Sequence, residues 1–214
     1  MRNTDGPLNG RRAQAAENDT LILDAAREIF ISDPGAPISA VAARAGVGIA
    51  ALYRRYENKE DLLRALARDA LARYRDDLLT ALADDGDAWT AYCAALERIV
   101  AGRSQALAQR LAGTFAPTPE MGALAAETGE LMDKLHRRTQ RHNALRADVT
   151  SADIVLLLEM VMLIEIPGAR EQDALRARYL ALVLQSLKFP GTAPLPGPAA
   201  EAADLAVRWK ANGA

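Results

Sequence analysis

An all-α fold is predicted by three features of the chain: alanine fills 45 of 214 positions, only 5% of residues are aromatic, and β-branched runs are nearly absent. Half of the residues are hydrophobic, a quarter are charged, and 26 basic against 28 acidic residues leave a net charge of −2. That balance describes a soluble globular protein and by itself favours no nucleic-acid or membrane partner. The length suits one large domain or two small ones, with a core that needs no covalent staple. The single cysteine, Cys93, excludes an intramolecular disulfide framework and a cysteine-cluster zinc site. No apolar leader follows the N-terminus, and the longest apolar run, Ile154 to Ile166, is interrupted by Glu159 and Glu165. Neither a secretion signal nor a membrane span is expected, and the cytoplasm is the expected compartment.

The elements follow in order. Residues 1–12 hold Arg2, Arg11 and Arg12 with Gly6, Pro7 and Gly10, which reads as a flexible basic arm. From about Ala13, the spacing of Leu21, Ile22, Ala25, Ala26, Ile29 and Phe30 predicts a helix that Asp33-Pro34-Gly35 stops. Two very short helices around Gly46 come next. Asn58 then caps a long helix over 58–82, with Glu60 and Asp61 in its first turn and an apolar stripe from Leu62 to Leu78 that includes Tyr74. Asp84 to Asp87 break it, and Asp87 caps the next one. Further helices are expected over 88–101, 104–112, 119–143, 151–166 and 171–188. Residues 190–198 hold six Pro or Gly in nine, so the 189–214 tail should be extended, with room for one short helix presenting Leu205 and Trp209.

The segment from Ile38 to Leu63, ISAVAARAGVGIAALYRRYENKEDLL, has the anatomy of a helix-turn-helix. Val41, Ala42 and Ala45 face inward on the first helix, and Gly46 occupies a turn that favours positive φ. Leu52 and Tyr56 face inward on the second helix, and the small Ala42 lets the two cross closely. Tyr53 falls on the outer face. From Gly35 to Tyr56 there are three arginines, Arg44, Arg54 and Arg55, and no acid, although residues 1–80 balance at 12 basic against 12 acidic. The positive charge is therefore focused.

At these residues the chain resembles the TetR family of transcriptional regulators: AGVGIAALYRRYENKEDLL is similar to the family's DNA-binding signature, with LILDAAREIF as its first helix. The resemblance covers about residues 13–75 and implies a dimer whose second motif helices enter successive major grooves of a palindrome. It places Ile49, Ala50 and Tyr53 where the family reads bases, and Ser39, Ala51, Arg55 and Lys59 where it holds phosphates. Arg44, Arg54 and Gly48 complete the candidate DNA-binding set. Four positions depart from the common pattern: Gly48 stands for Ser, Ala51 for Thr, Arg55 for His and Tyr56 for Phe. Gly48 and Ala51 lose phosphate-binding hydroxyls, whereas Arg55 brings a fixed donor fork. Ile49 and Ala50 can touch a thymine methyl but cannot hydrogen-bond a base edge.

The resemblance further implies an effector cavity among the C-terminal helices, within a sensor and dimerisation domain over 83–188. Candidate lining residues are Trp89, Tyr92, Cys93, Leu96, Leu107, Phe115, Met121, Leu124, Met132, His136, Glu159 and Met162, whose character favours an apolar or amphipathic small molecule. Residues 154–166 are apolar almost all round, so that helix must be covered on two sides. One cover is its own domain, and the other is a partner subunit. The homodimer is expected through helices 151–166 and 171–188, the second presenting Leu175, Tyr179, Leu182, Val183, Ser186 and Leu187 on one face. No cofactor or metal is implied: Gly86 interrupts the Asp84, Asp85, Asp87 run, and His136 and His142 lie six apart without a carboxylate at ligand spacing. The expected activity is ligand-responsive repression. A sensor or interaction protein with a non-functional reading head, or an all-α enzyme, remains an alternative on these residues.

Overall fold

The computed structural model describes the backbone of residues 7–33, 35–102, 111, 115–164, 166, 171–188 and 193–206; side chains are described from Asn18 onward, except those of 31, 32 and 206. The described residues form nine helices: α1 Pro7–Ser32, α2 Ile38–Ala45, α3 Ile49–Arg55, α4 Lys59–Ala83, α5 Ala88–Gly102, α6 Pro119–Arg141, α7 Ser151–Met162, α8 Gln172–Leu187 and α9 Ala202–Ala206. The chain divides into two compact units, Met1–Ala67 and Arg68–Ala214, and the division falls inside α4.

In the first unit, α1 begins six residues before the expected start. Proline is at home in a first helical turn, where its missing N–H would have no intrahelical partner anyway, so residues 7–12 are helical rather than part of an arm. Residues 1–6 lie outside the described set. Asp33 ends α1 and accepts a hydrogen bond from the Gly35 backbone N–H at 2.8 Å. The core is formed by Ile22, Ala26 and Phe30 of α1, Val41 and Ala42 of α2, Leu52 of α3, and Leu62, Leu63 and Leu66 of α4. The α4 residues that complete this core carry the unit to Ala67, beyond the expected boundary near residue 60.

The second unit is built around residues from the later part of α4 and from α5 to α8, including Leu78, Leu96, Ile99, Leu135, Ile154, Leu158, Leu180 and Leu184. Local caps set its helix ends. Thr90 donates both its N–H and its hydroxyl to Asp87, and Thr118 caps α6, whose first residue is Pro119. Thr150 and Asp153 form a reciprocal capping box on α7. Asn143, at φ 51°, turns the chain after α6, which ends at Arg141 rather than 143.

Two expectations for the C-terminal helices are corrected. α7 stops at Met162 instead of 166, because Pro167 disfavours helical backbone in the residue before it and Ile166 N–H is bonded instead to the Gln172 side chain at 3.3 Å. α8 buries Arg176, Leu180, Leu184 and Leu187, so Leu187 belongs to the inner face while Tyr179 and Leu182 stand outward. The helix expected over 104–112 falls outside the described residues, apart from buried Leu111. In the tail, Ala193–Glu201 carries no helix and is tied down at several points. Arg146 donates to the Ala193 carbonyl at 2.8 Å, Thr150 Oγ1 to the Ala200 carbonyl at 2.8 Å, and Ala200 N–H to Asp153 at 3.0 Å. Leu205 of α9 packs half-buried against the core, and Trp209 lies outside the described residues.

Candidate nucleic-acid interface

The helix-turn-helix turn is a backbone device. Gly46 sits at φ 68°, left-handed, and Val47 N–H reaches back to the Ala42 carbonyl at 3.1 Å, closing α2 so that α3 can start three residues later. Gly48 caps α3 without a side-chain bond, and a Cβ added there would meet nothing within 4 Å. A serine would fit. Leu52 is fully buried and Tyr56 nearly so, which fixes the rotation of α3 and turns Ile49, Ala50, Tyr53 and Arg54 to the outside. Ile49 is 42% and Tyr53 47% exposed, a pair of large apolar side chains one helical turn apart. Ser39 is exposed on α2, and Ala51 is half-buried.

The cations are arranged in a way the sequence did not reveal. Arg55 Nε donates to both carboxylate oxygens of Asp19 on α1, at 2.7 and 2.8 Å, and Nη2 approaches the same carboxylate at 2.6 Å. The bond to Asp19 raises the arginine's pKa above its ordinary value. Arg44 pairs with Glu28, also on α1, at 2.6 Å. Lys59, expected at a phosphate, donates to the Ala36 carbonyl at 2.7 Å and stands 5.1 Å from the Phe30 ring centre, so in this structure it ties the start of α4 to the residues before α2. Of the three arginines between Gly35 and Tyr56, only Arg54 makes no hydrogen bond or ion pair with the described residues.

In the second unit, Tyr92, Leu96, Met132 and Met162 share the core cluster, and Trp89 and Cys93 pack half-buried against it. Burial pushes the Cys93 thiol up to about 11. Trp89 and Tyr92 stack with ring centres 6.2 Å apart. The Tyr92 hydroxyl donates to His136 Nδ1 at 3.1 Å, and His136 Nε2 donates to the Val149 carbonyl at 2.9 Å, an arrangement that suits neutral imidazole. Burial accordingly lowers the His136 pKa. Phe115 and Met121 are buried outside that cluster, Leu124 and Glu159 are half-buried, and Leu107 lies outside the described residues. Arg138 reaches from α6 to the end of α4, donating to the carbonyls of Ala81 at 2.9 Å, Leu82 at 3.1 Å and Asp84 at 3.2 Å.

Residues 22–66, which include this motif, match the family model for bacterial regulatory proteins of the tetR family, and residues 84–189 match the C-terminal domain of SbtR-like transcriptional regulators. The chain belongs to the TetR family of transcriptional regulators. Its architecture is that of the family, a helix-turn-helix DNA-binding domain followed by a helical C-terminal domain. A solved TetR regulatory protein of Mycobacterium vanbaalenii is 26% identical, covering 83% of this chain and 98% of its own, with a TM-score of 0.57. The regulator SCO0520 of Streptomyces coelicolor is 25% identical over 82% of this chain and 99% of its own, with a TM-score of 0.58. The fold also matches LfrR of Mycobacterium smegmatis, solved with proflavine, at 24% identity, 85% and 99% coverage and a TM-score of 0.58. No curated protein matches the chain. No helix of the described residues is long and apolar enough to cross a membrane.

Sequence reasoning missed Asp19 and Glu28 as partners of the head's arginines, because ion pairs between separate helices leave no local spacing to read. It also placed Tyr74 only in an apolar stripe. The signal available there was the residue type, since a buried tyrosine brings a hydroxyl that needs a partner.

Proposed function

We propose that the protein is a homodimeric repressor that binds a palindromic operator through α3 and is released by a small apolar or amphipathic effector held in the second unit. The observation that carries the DNA half of this reading is the outward pair Ile49 and Tyr53 on a helix fixed by buried Leu52, with Arg54 beside them. Ile49, Ala50 and Tyr53 then meet base edges. Ser39, Ala51 and Arg54 lie against the backbone, and Arg44, Arg55 and Lys59 join them by exchanging internal partners for phosphate. With so few base-edge donors, much of the affinity comes from phosphate contacts and DNA shape.

The dimer half is supported by a second exposed apolar set. Met160 is 66%, Leu163 55%, Tyr179 45% and Leu182 52% exposed in the single chain. These residues lie on or just after α7 and on α8, and a second copy of the same surface would cover them. LfrR carries proflavine in its solved complex; here an effector is expected among Tyr92, Leu96, Met132 and Met162. Because α4 continues from the core of one unit into that of the other, an effector that moves α4 alters how a dimer presents its two heads to successive grooves.

A gel-shift assay on the DNA flanking the chain's own gene, combined with sedimentation of the free protein, tests the reading. A discrete complex at a palindrome and a dimer at micromolar concentration are expected. A monomer under those conditions would remove the palindrome from the proposal, and binding indifferent to sequence would remove the operator.

A further inference from the structure

Tyr74 lies on α4 with its side chain in the core of the second unit, and its Oη is sealed from solvent with no hydrogen-bond partner among the described residues. Its polar neighbours in the fold are satisfied. Tyr92 and His136 bond as above, Thr128 Oγ1 donates to the Ala125 carbonyl at 2.8 Å, and Thr139 Oγ1 donates to the Leu135 carbonyl at 2.9 Å. Arg138 and Arg176 each bury an unpartnered Nε, yet their other nitrogens hold the end of α4 and Asp173. Tyr74 has one polar atom, and that atom bonds to nothing described. A buried hydroxyl without a partner is unfavourable where phenylalanine would carry no such cost, so its presence points to a group bound in one functional state.

The surroundings restrict that group. Tyr92, Leu96, Met132, Leu158 and Met162 share the apolar cluster with Tyr74, and methionine side chains adapt to irregular shapes. Burial, and then the charge of Glu159, push the phenol well above its ordinary pKa, so it stays neutral and offers a hydrogen. A negatively charged visitor would have to approach the Glu159 carboxylate in a medium of low dielectric constant.

We propose that the second unit takes an uncharged, mostly apolar effector carrying a hydrogen-bond acceptor such as a carbonyl oxygen, and that Tyr74 Oη donates to that oxygen. The inference rests on reading the chain as an effector-responsive regulator. It also gives the effector a polar grip on α4, the helix whose first residues complete the core of the DNA-binding unit.

Three molecules of nearly the same shape test the donor: acetophenone, α-methylstyrene, which has a methylene in place of the carbonyl oxygen, and benzoate, which is anionic. Each is titrated calorimetrically into the full chain and into Tyr74→Phe. Acetophenone should bind the wild type and weaken roughly fivefold in Tyr74→Phe, the size of one neutral hydrogen bond. α-Methylstyrene should bind both proteins equally, and benzoate should bind neither. Without ligand, Tyr74→Phe should keep or slightly raise the melting temperature and leave DNA binding unchanged.

The proposal falls if acetophenone does not bind, if Tyr74→Phe leaves its affinity unchanged, or if benzoate binds as well as acetophenone. A drop of several degrees in ligand-free Tyr74→Phe also overturns it, since the hydroxyl would then have a permanent partner such as a resident water. Any of these results with operator binding intact removes the effector chemistry and leaves the regulator, whereas loss of sequence-specific DNA binding by the wild type strikes the regulator itself.

Discussion

The two units place their polar groups in opposite ways. In the first unit, Arg44 and Arg55 are more than half exposed and pair with Glu28 and Asp19 across the surface, where an ion pair contributes only about 0–1 kcal/mol. In the second, the Tyr92–His136–Val149 chain is closed inside the core, and Arg138 binds three backbone carbonyls at the end of α4. Exposed pairs exchange partners at little cost, whereas buried groups that lose a partner are strongly unfavourable. The difference suits one unit to a polyanion that arrives and leaves, and the other to a fixed frame around a ligand.

The largest expected effect tests where the second unit needs another copy. Leu182→Arg leaves the chain's own core intact because the side chain is already outward. At a covered dimer face, an unpaired charge costs about 3 kcal/mol or more, so sedimentation should show a folded monomer. Leu157→Arg is a poorer probe, since Leu157 packs against its own core and its loss would unfold the unit. Next comes the exposed aromatic of the head. Tyr53→Ala should lower operator affinity by roughly 1–3 kcal/mol, about 10- to 100-fold, with an almost unchanged melting temperature. A large drop in melting temperature with DNA binding preserved would make Tyr53 a core residue and overturn the register of α3.

His136 sharpens the contrast through pH. Its folded pKa lies below the ordinary 6.5, so the unfolded chain binds the proton more readily. The stability this histidine contributes is therefore complete above pH 6.5 and declines as pH falls through that value toward the folded pKa. Urea unfolding at a series of pH values should show this decline in the wild type, and His136→Gln should flatten it. The smallest effect belongs to the exchangeable pair. Asp19→Asn frees Arg55 and removes one negative charge from the head, so affinity for any DNA should rise roughly two- to fivefold at low salt and the gain should fade as salt increases. No change at low salt would mean that Arg55 does not reach DNA.

How much was legible depends on how far apart the partners lie. Gly46 with Leu52 six residues later, Asn58 before Asp61, and Thr150 before Asp153 are relations within one or two turns of chain, and each could be read from residue type and spacing. The start of α1 was misjudged because the tolerance of a first turn for proline outweighed the scarcity of apolar residues there. The end of α7 was misjudged because an apolar run continues past the point where Pro167 and the Gln172 side chain take the backbone away from the helix. For α8, periodicity alone could not decide which of two apolar stripes faces the core, and the structure assigned Leu180, Leu184 and Leu187 to it.

By itself the sequence determined the all-α class, the reading motif and the family, because turns, caps and helical periodicity are local and each is strong enough to be recognised alone. Only the tertiary structure decided which cations are already occupied, which tyrosine hydroxyl lacks a partner, and which apolar faces remain uncovered. Arg55 meets Asp19 from 36 residues away, and Arg138 meets Ala81 from 57. Side chains separated by that much chain are brought together by the packing of whole helices, and no spacing along the sequence records it.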